Sequence, residues 1–116
     1  MYKGNNMEEL SKKKCEPCEK GTPPLTREEL QPLMQQISGW ELIDDKTIEK
    51  SYSFKDFAMA LAFVNRVGEV AEKEGHHPDI YLGWGKVKIS LMTHKIKGLT
   101  KSDFILAAKC DTLVGL

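Results

Sequence analysis

The stretch "EKEGHHPDIYLGWGKVKISLMTH", residues 72–94, contains two short strand patterns and every histidine of the 116-residue chain. Segments 79–82 and 86–94 flank a Gly-Trp-Gly turn at 83–85, and apolar and polar residues alternate along the second segment. Such alternation is typical of a β-strand, so the sequence predicts an antiparallel hairpin. If the hairpin turns within 83–85, the numbers of its paired residues should sum to about 169.

This hairpin is expected to bring the histidines together. His76 and His77 precede its first strand, and His94 ends its second. The predicted register places His94 opposite residue 75, and Cβ atoms of opposite residues lie about 5 Å apart. Glu72 lies four residues before His76, so the two would share a helix face if the last turn is regular. The sequence therefore predicts a cluster of imidazoles and a carboxylate.

Several kinds of chemistry fit such a cluster. Imidazole gives and takes protons near neutrality, which suits general acid–base catalysis. Three histidines can also hold a catalytic zinc ion. Against zinc, side chains of neighbouring residues alternate in an extended segment, so His76 and His77 could not easily face one ion. Taken singly, each histidine is also explained as a helix cap, a polar loop residue or a solvated strand end.

Hydrophobic patterns along the rest of the chain predict three helices and a second hairpin. The pattern from residue 55 to 74 is the strongest helix, and it ends at a glycine that can take a left-handed conformation. Because hairpins favour antiparallel pairing, we expect an α+β domain of order α-β-β-α-β-β-α: a four-stranded antiparallel sheet with three helices packed on one face. The supporting signals are the capping boxes Thr26/Glu29 and Thr100/Asp103, the strand patterns 40–43 and 47–54, and the turn Asp44-Asp45-Lys46.

The bulk composition excludes several classes of protein. The 17 basic and 17 acidic residues cancel, so the strongly basic footprint of a nucleic-acid-binding protein is absent. No apolar run approaches the roughly 18 residues of a membrane helix. An odd cysteine count of 3 fits a reducing compartment better than a disulfide scaffold. These features predict a cytoplasmic protein that binds neither nucleic acid nor membrane.

Residues 1–24 differ from the rest of the chain. They show little apolar periodicity and contain "CEPC" at 15–18. One such pair is half of a zinc site, and no second pair completes it. We predict a flexible N-terminal arm with a CxxC pair at 1–24, followed by a single domain at 25–116.

The combined motifs resemble the pterin-4a-carbinolamine dehydratase family over residues 23–112. "SGW" at 38–40 and "LTREEL" at 25–30 are similar to the opening of that family's domain. The other matching residues are Glu72, His76, His77, Pro78, Tyr81, Trp84, His94, Gly98, Leu99, Thr100 and Asp103.

The resemblance implies a hydro-lyase with the fold predicted above. Its members remove water from 4a-hydroxytetrahydropterin and form quinonoid dihydropterin, which recycles the tetrahydropterin cofactor of aromatic amino acid hydroxylases. The family requires no metal or other cofactor, and its members are homodimers or homotetramers. Animal members also act as a dimerisation cofactor of a transcription factor. A protein-binding module without catalysis is therefore the alternative function.

The resemblance also implies roles for individual residues. His76 and His94 would be the general acid–base pair, one on each side of the pterin ring. His77 would hold the pterin and take a secondary part in catalysis, and Glu72 would orient an imidazole. Asp103 matches the family pattern, but its place in a capping box also explains it structurally. The residues expected to bind substrate are Glu72, Trp40 and Pro78.

Overall fold

The computed structural model describes residues 6–16 and 19–115 and confirms the predicted α+β fold. Its four antiparallel strands are β1 (Glu41–Ile43), β2 (Thr47–Ser53), β3 (Asp79–Leu82) and β4 (Lys86–Leu91), and they lie in the sheet in the order β1-β2-β4-β3. Three helices match the predicted ones, and a fourth, α1, lies within the segment predicted as an arm. Among the described residues, no helix is long and apolar enough to cross a membrane. The elements are α1 (Asn6–Ser11), α2 (Arg27–Met34), β1 (Glu41–Ile43), β2 (Thr47–Ser53), α3 (Phe57–Glu74), β3 (Asp79–Leu82), β4 (Lys86–Leu91) and α4 (Lys101–Thr112).

The hairpin of β3 and β4 has the predicted register. The residue numbers of each of its four pairs sum to 169, from Leu82↔Val87 to Asp79↔Ser90. The extrapolation to residue 94 was wrong, because the ladder stops at the Asp79–Ser90 pair. Beyond it the chain turns back on itself, and Thr93 forms a bridge with Gly98.

The core lies between the sheet and the helices that cover it. Val87, Ile89 and Leu91 of the central strand β4 are completely buried. The Phe63 ring of α3 lies 4.7 Å from the Tyr52 ring of β2, between ring centroids. Such aromatic pairs stabilise a core by more than the burial of their apolar surface alone would give.

Local signals set the ends of the helices, and the capping box at Thr26 and the stop at Gly75 are confirmed. The backbone N–H of Thr26 donates to Glu29 Oε1 over 2.8 Å at the start of α2, which completes the capping box. Asp56 caps α3 by accepting from the Met59 N–H. At the other end of α3, Gly75 has a φ of 67°, a conformation that few residues except glycine adopt readily.

Helix α4 is buried on almost every side, so elements other than the sheet must also pack against it. Phe104, Leu106 and Ala107 are completely buried. A helix with buried side chains on most of its surface must be enclosed by several other elements. Helix α1 packs along α4 and places Leu10, which is 1% exposed, in the shared core. The division into a flexible arm and a domain stays a prediction. Cys15 of the predicted CxxC pair is described, whereas Cys18 lies outside the described residues.

The buried thiol of Cys110 should make the protein less stable in alkali. Burial, helped by the Asp111 carboxylate, raises the pKa of Cys110 from 9.0 to about 12. Below pH 9 the thiol is protonated in both the folded and the unfolded chain. Above pH 9 it ionises only in the unfolded chain, so the free energy of unfolding falls as the pH rises toward about 12.

Urea denaturation of the parent and Cys110→Ala at pH 8 and pH 10 tests this effect. Between these pH values, the parent should lose about 1 kcal/mol more stability than the variant. The difference isolates the thiol, because the other titrating groups are common to both proteins. Equal losses would contradict the expectation.

Candidate active site

His76 is held where α3 ends. The left-handed Gly75 turns the chain out of the helix, and the His76 N–H still donates to the carbonyl of Ala71 over 3.2 Å. The His76 side chain is 14% exposed, and its Nε2 lies 2.6 Å from Asp103 Oδ1. A backbone bond and a side-chain bond therefore fix this imidazole between α3 and the first turn of α4.

Asp103 is completely buried and is hydrogen-bonded through both carboxylate oxygens. Its Oδ2 accepts from the Thr93 hydroxyl over 2.8 Å and from the Thr100 N–H over 2.9 Å. An ionised carboxylate only accepts hydrogen bonds, which matches this set of donors. His76 Nε2 is then the donor to Oδ1, and Nδ1 is the ring atom left for another partner. The predicted capping role of Asp103 is thus confirmed, and the same side chain also orients His76.

His77 pairs with Glu72 at the surface. Its Nε2 lies 2.5 Å from Glu72 Oε2, and the two side chains are 58% and 80% exposed. Glu72 was expected to share a helix face with His76 if the last turn of α3 were regular, but it pairs with His77 instead. The helix ends at Glu74, and the left-handed residue after it directs the His76 ring toward α4 instead.

His94 lies in the turn that follows β4. Its Nε2 is 3.8 Å from Asp79 Oδ2, and both side chains are largely exposed. Asp79 opens β3 and lies two residues after His77, so the hairpin returns His94 to the end from which it starts. The adjacent Thr93 donates to Asp103, which links this turn to the partner of His76.

The two other predicted substrate-binding residues lie in different places. Trp40 is buried, and its Nε1–H donates to Asp111 Oδ2 over 3.0 Å. Asp103 and Asp111 lie near opposite ends of α4, about 12 Å apart along its axis at 1.5 Å per residue. Within one chain, the structure therefore does not bring Trp40 to the histidines. Pro78 is half-buried and joins His77 to β3.

The arrangement of the histidines suits proton transfer. Each imidazole has its own carboxylate neighbour: Asp103, Glu72 or Asp79. In the part of the chain that the structure describes, no group of three or more His, Cys, Asp or Glu side chains has the geometry of a metal site. The cluster also combines a buried, fixed imidazole with two exposed ones.

Sequence reasoning missed the site contacts of three residues: Asp103, Asp79 and Thr93. Asp103 was recognised in the sequence, but its capping role explained it without any contact to His76. Asp79 follows a His-His-Pro segment, which is a weak signal for a carboxylate beside a histidine. Thr93 carries no signal of its own, since a threonine in a strand pattern is ordinary.

The chain is similar to a family of known proteins over most of its length. The family model described as pterin 4 alpha carbinolamine dehydratase matches residues 23–113. A protein of Rubrobacter xylanophilus is 54% identical over 92% of this chain and 100% of its own length. A protein of Alkaliphilus metalliredigens is 52% identical over 90% of this chain and 96% of its own length. Both are named "putative pterin-4-alpha-carbinolamine dehydratase".

Two solved structures share the fold. One, from Brucella melitensis, is described as a transcriptional coactivator/pterin dehydratase; it is 32% identical, with a TM-score of 0.75 over 79% of this chain and 99% of its own. The other is described as a pterin dehydratase-like protein that is a RuBisCO assembly factor in the alpha-carboxysome; it is 25% identical, with a TM-score of 0.57 over 66% of this chain and 90% of its own. From the matched domain and the relatives that span nearly the whole chain, we conclude that this protein belongs to the pterin 4 alpha carbinolamine dehydratase family.

Proposed function

We propose that this protein dehydrates 4a-hydroxytetrahydropterin to quinonoid dihydropterin. In this reaction the bond between C4a and the hydroxyl oxygen breaks, and the oxygen leaves as water after accepting a proton. The proton on N5 is lost to a base, so the net change is the removal of one water molecule. The reaction therefore needs a proton donor at the hydroxyl oxygen and a proton acceptor at N5.

The observation that carries this proposal is the hydrogen-bonded pair of His76 and Asp103 at the histidine end of the hairpin. A buried carboxylate holds Nε2, which leaves Nδ1 to exchange a proton with a ligand. We assign His76 and His94 as the acid–base pair. His77, held by Glu72, is assigned to binding the pterin with a secondary part in catalysis.

The assignments of Trp40 and Pro78 to substrate binding stay predictions. So do the recycling of the cofactor of aromatic amino acid hydroxylases, a cytoplasmic location, the homodimeric or homotetrameric state, and the absence of a metal or other cofactor. For Trp40, a role at the site would require a second copy of the chain or a larger pterin substituent, because its indole is bonded at the far end of α4.

The rate of dehydration of freshly prepared 4a-hydroxytetrahydropterin tests the proposal. The parent should exceed the spontaneous rate, and His76→Ala/His94→Ala should lose at least the 10²–10⁴-fold that acid–base groups typically contribute. Glu69→Ala is the control, because Glu69 is an exposed residue on α3. A parent that does not exceed the spontaneous rate would refute the proposal.

A protein-binding module is the second candidate function. Trp84 and Tyr81 of the hairpin are 70% and 59% exposed, and exposed aromatic residues commonly anchor protein interfaces. Two structural relatives are described as a coactivator and as an assembly factor. If the parent does not accelerate dehydration while its fold is intact, this function becomes the leading one.

A further inference from the structure

Residues 9–16, called here the strap, lie across the helices that carry the site. Leu10 is buried against α4, and Lys109 Nζ donates to the Ser11 carbonyl over 2.7 Å. Farther along, the Cys15 N–H donates to Glu74 Oε1 over 2.8 Å. The strap is thus attached to both α3 and α4.

The attachment points adjoin the catalytic candidates. Glu74 is the last residue of α3, two positions before His76. Ser102 directly precedes Asp103, and its hydroxyl accepts from the Glu16 N–H over 2.9 Å and donates to the Glu16 carbonyl over 3.1 Å. The strap therefore joins the two chain segments whose side chains form the His76–Asp103 hydrogen bond.

Glu74 is the centre of these contacts. Its side chain is 10% exposed, and its second oxygen lies 3.7 Å from Lys109 Nζ. It therefore holds the strap through one oxygen and faces α4 through the other. Burial and the charge of Glu74 raise the pKa of the neighbouring Cys15 thiol to about 11. Cys15 is half-buried, as expected of a strap that packs on the protein surface.

We propose that Glu74 and Ser102 are positioning residues for the His76–Asp103 pair, and that they act by binding the strap. The strap touches neither His76 nor Asp103 in any of these contacts. It acts by holding the end of α3 and the start of α4 at one separation, which sets the geometry of the bond between them. Displacing catalytic groups by about 1 Å can lower the rate about 10²-fold. Contacts of the strap that fix the distance between α3 and α4 can therefore affect the rate without touching the substrate. The consequence for rate rests on the proposed dehydratase function, whereas the effect on His76 does not.

The test compares the parent with Glu74→Ala/Ser102→Ala and with Ser102→Ala alone. The single variant removes only one hydroxyl, so it keeps the fold if the double variant does not. Three quantities are measured on the full chain: amide exchange at Cys15 and Glu16, the ¹⁵N signals of the His76 ring, and kcat with KM. Glu69→Ala on the exposed face of α3 is the matched control.

In the double variant, the two strap amides should exchange faster, and the His76 ring signals should move toward an average of the two tautomers. The value of kcat should fall about 10- to 10²-fold with KM unchanged, because alignment rather than binding is lost. Glutamine keeps an acceptor for the Cys15 N–H. The variant Glu74→Gln/Ser102→Ala should therefore have a higher kcat than Glu74→Ala/Ser102→Ala and recover most of the lost rate.

Two results would overturn the inference. Strap amides that exchange faster while the His76 signals and kcat remain those of the parent would show that the strap does not position the pair. Unchanged exchange at Cys15 and Glu16 in both variants would show that Glu74 and Ser102 do not hold the strap. If the parent lacks dehydratase activity, the proposed function fails, but the exchange and ring signals still decide this inference.

Discussion

Asp103→Asn is expected to lower the rate of pterin dehydration by about 10²–10⁴-fold, the contribution typical of a correctly placed acid–base group. The carboxylate accepts from His76 on one oxygen and from Thr93 and the Thr100 N–H on the other. Asparagine replaces one acceptor by an NH₂ donor. If the NH₂ faces His76, Nε2 must become the acceptor and Nδ1 the protonated atom, which reverses the tautomer presented to the substrate.

The opposite orientation of the amide is also unfavourable. The NH₂ would then face the Thr100 N–H, so two donors would meet inside the protein. An unsatisfied buried polar group costs about 1–3 kcal/mol, and stability to urea should fall by this amount. Asp56→Asn is the control, because Asp56 also caps a helix but has no histidine partner, and asparagine is an equally good cap. A near-parent rate in a fully folded Asp103→Asn variant would show that Asp103 is only a helix cap.

His76→Ala alone should remove a comparable factor of about 10²–10⁴ from the rate, because this imidazole is the one held by a buried carboxylate. Glu72→Gln should have a far smaller effect. The Glu72 side chain is 80% exposed, and interactions between exposed charges are screened by water and salt. The ranking of the two variants in one kinetic assay therefore tests whether the buried pair or the exposed pair matters more.

A double variant makes the test sharper. If Asp103 acts through His76, then Asp103→Asn/His76→Ala should be no slower than His76→Ala, because groups that work as a unit have non-additive effects. Multiplication of the two separate effects would show that Asp103 contributes to the reaction independently of His76. Circular dichroism of each variant confirms that the folded state is compared.

Much of the fold follows from local sequence signals. The alternation along 86–91 and the glycines at 83 and 85 correctly predicted the register of the hairpin, because turn position and side-chain period together determine which residues pair. The capping box at Thr26 and the stop at Gly75 were likewise confirmed, because each depends on backbone geometry within one helical turn. His94 reaches the same end of the hairpin through the turn that follows β4, outside the strand ladder.

The contacts that orient the histidines were decided by the tertiary structure. The contact between His76 and Asp103 joins residues 27 positions apart, and it exists because α4 packs across the end of α3. Glu72 lies beside His77 because the left-handed Gly75 changes the direction of the chain after α3. The four-residue spacing between Glu72 and His76 assumes a regular helix and does not indicate this change. Helix α1 packs on α4 and buries Leu10 in the shared core, a contact that no periodicity within residues 1–24 reveals. Local sequence thus determined the predicted helices and strands and the hairpin register, whereas α1 and the pairing of His76 with Asp103 depended on how whole helices pack.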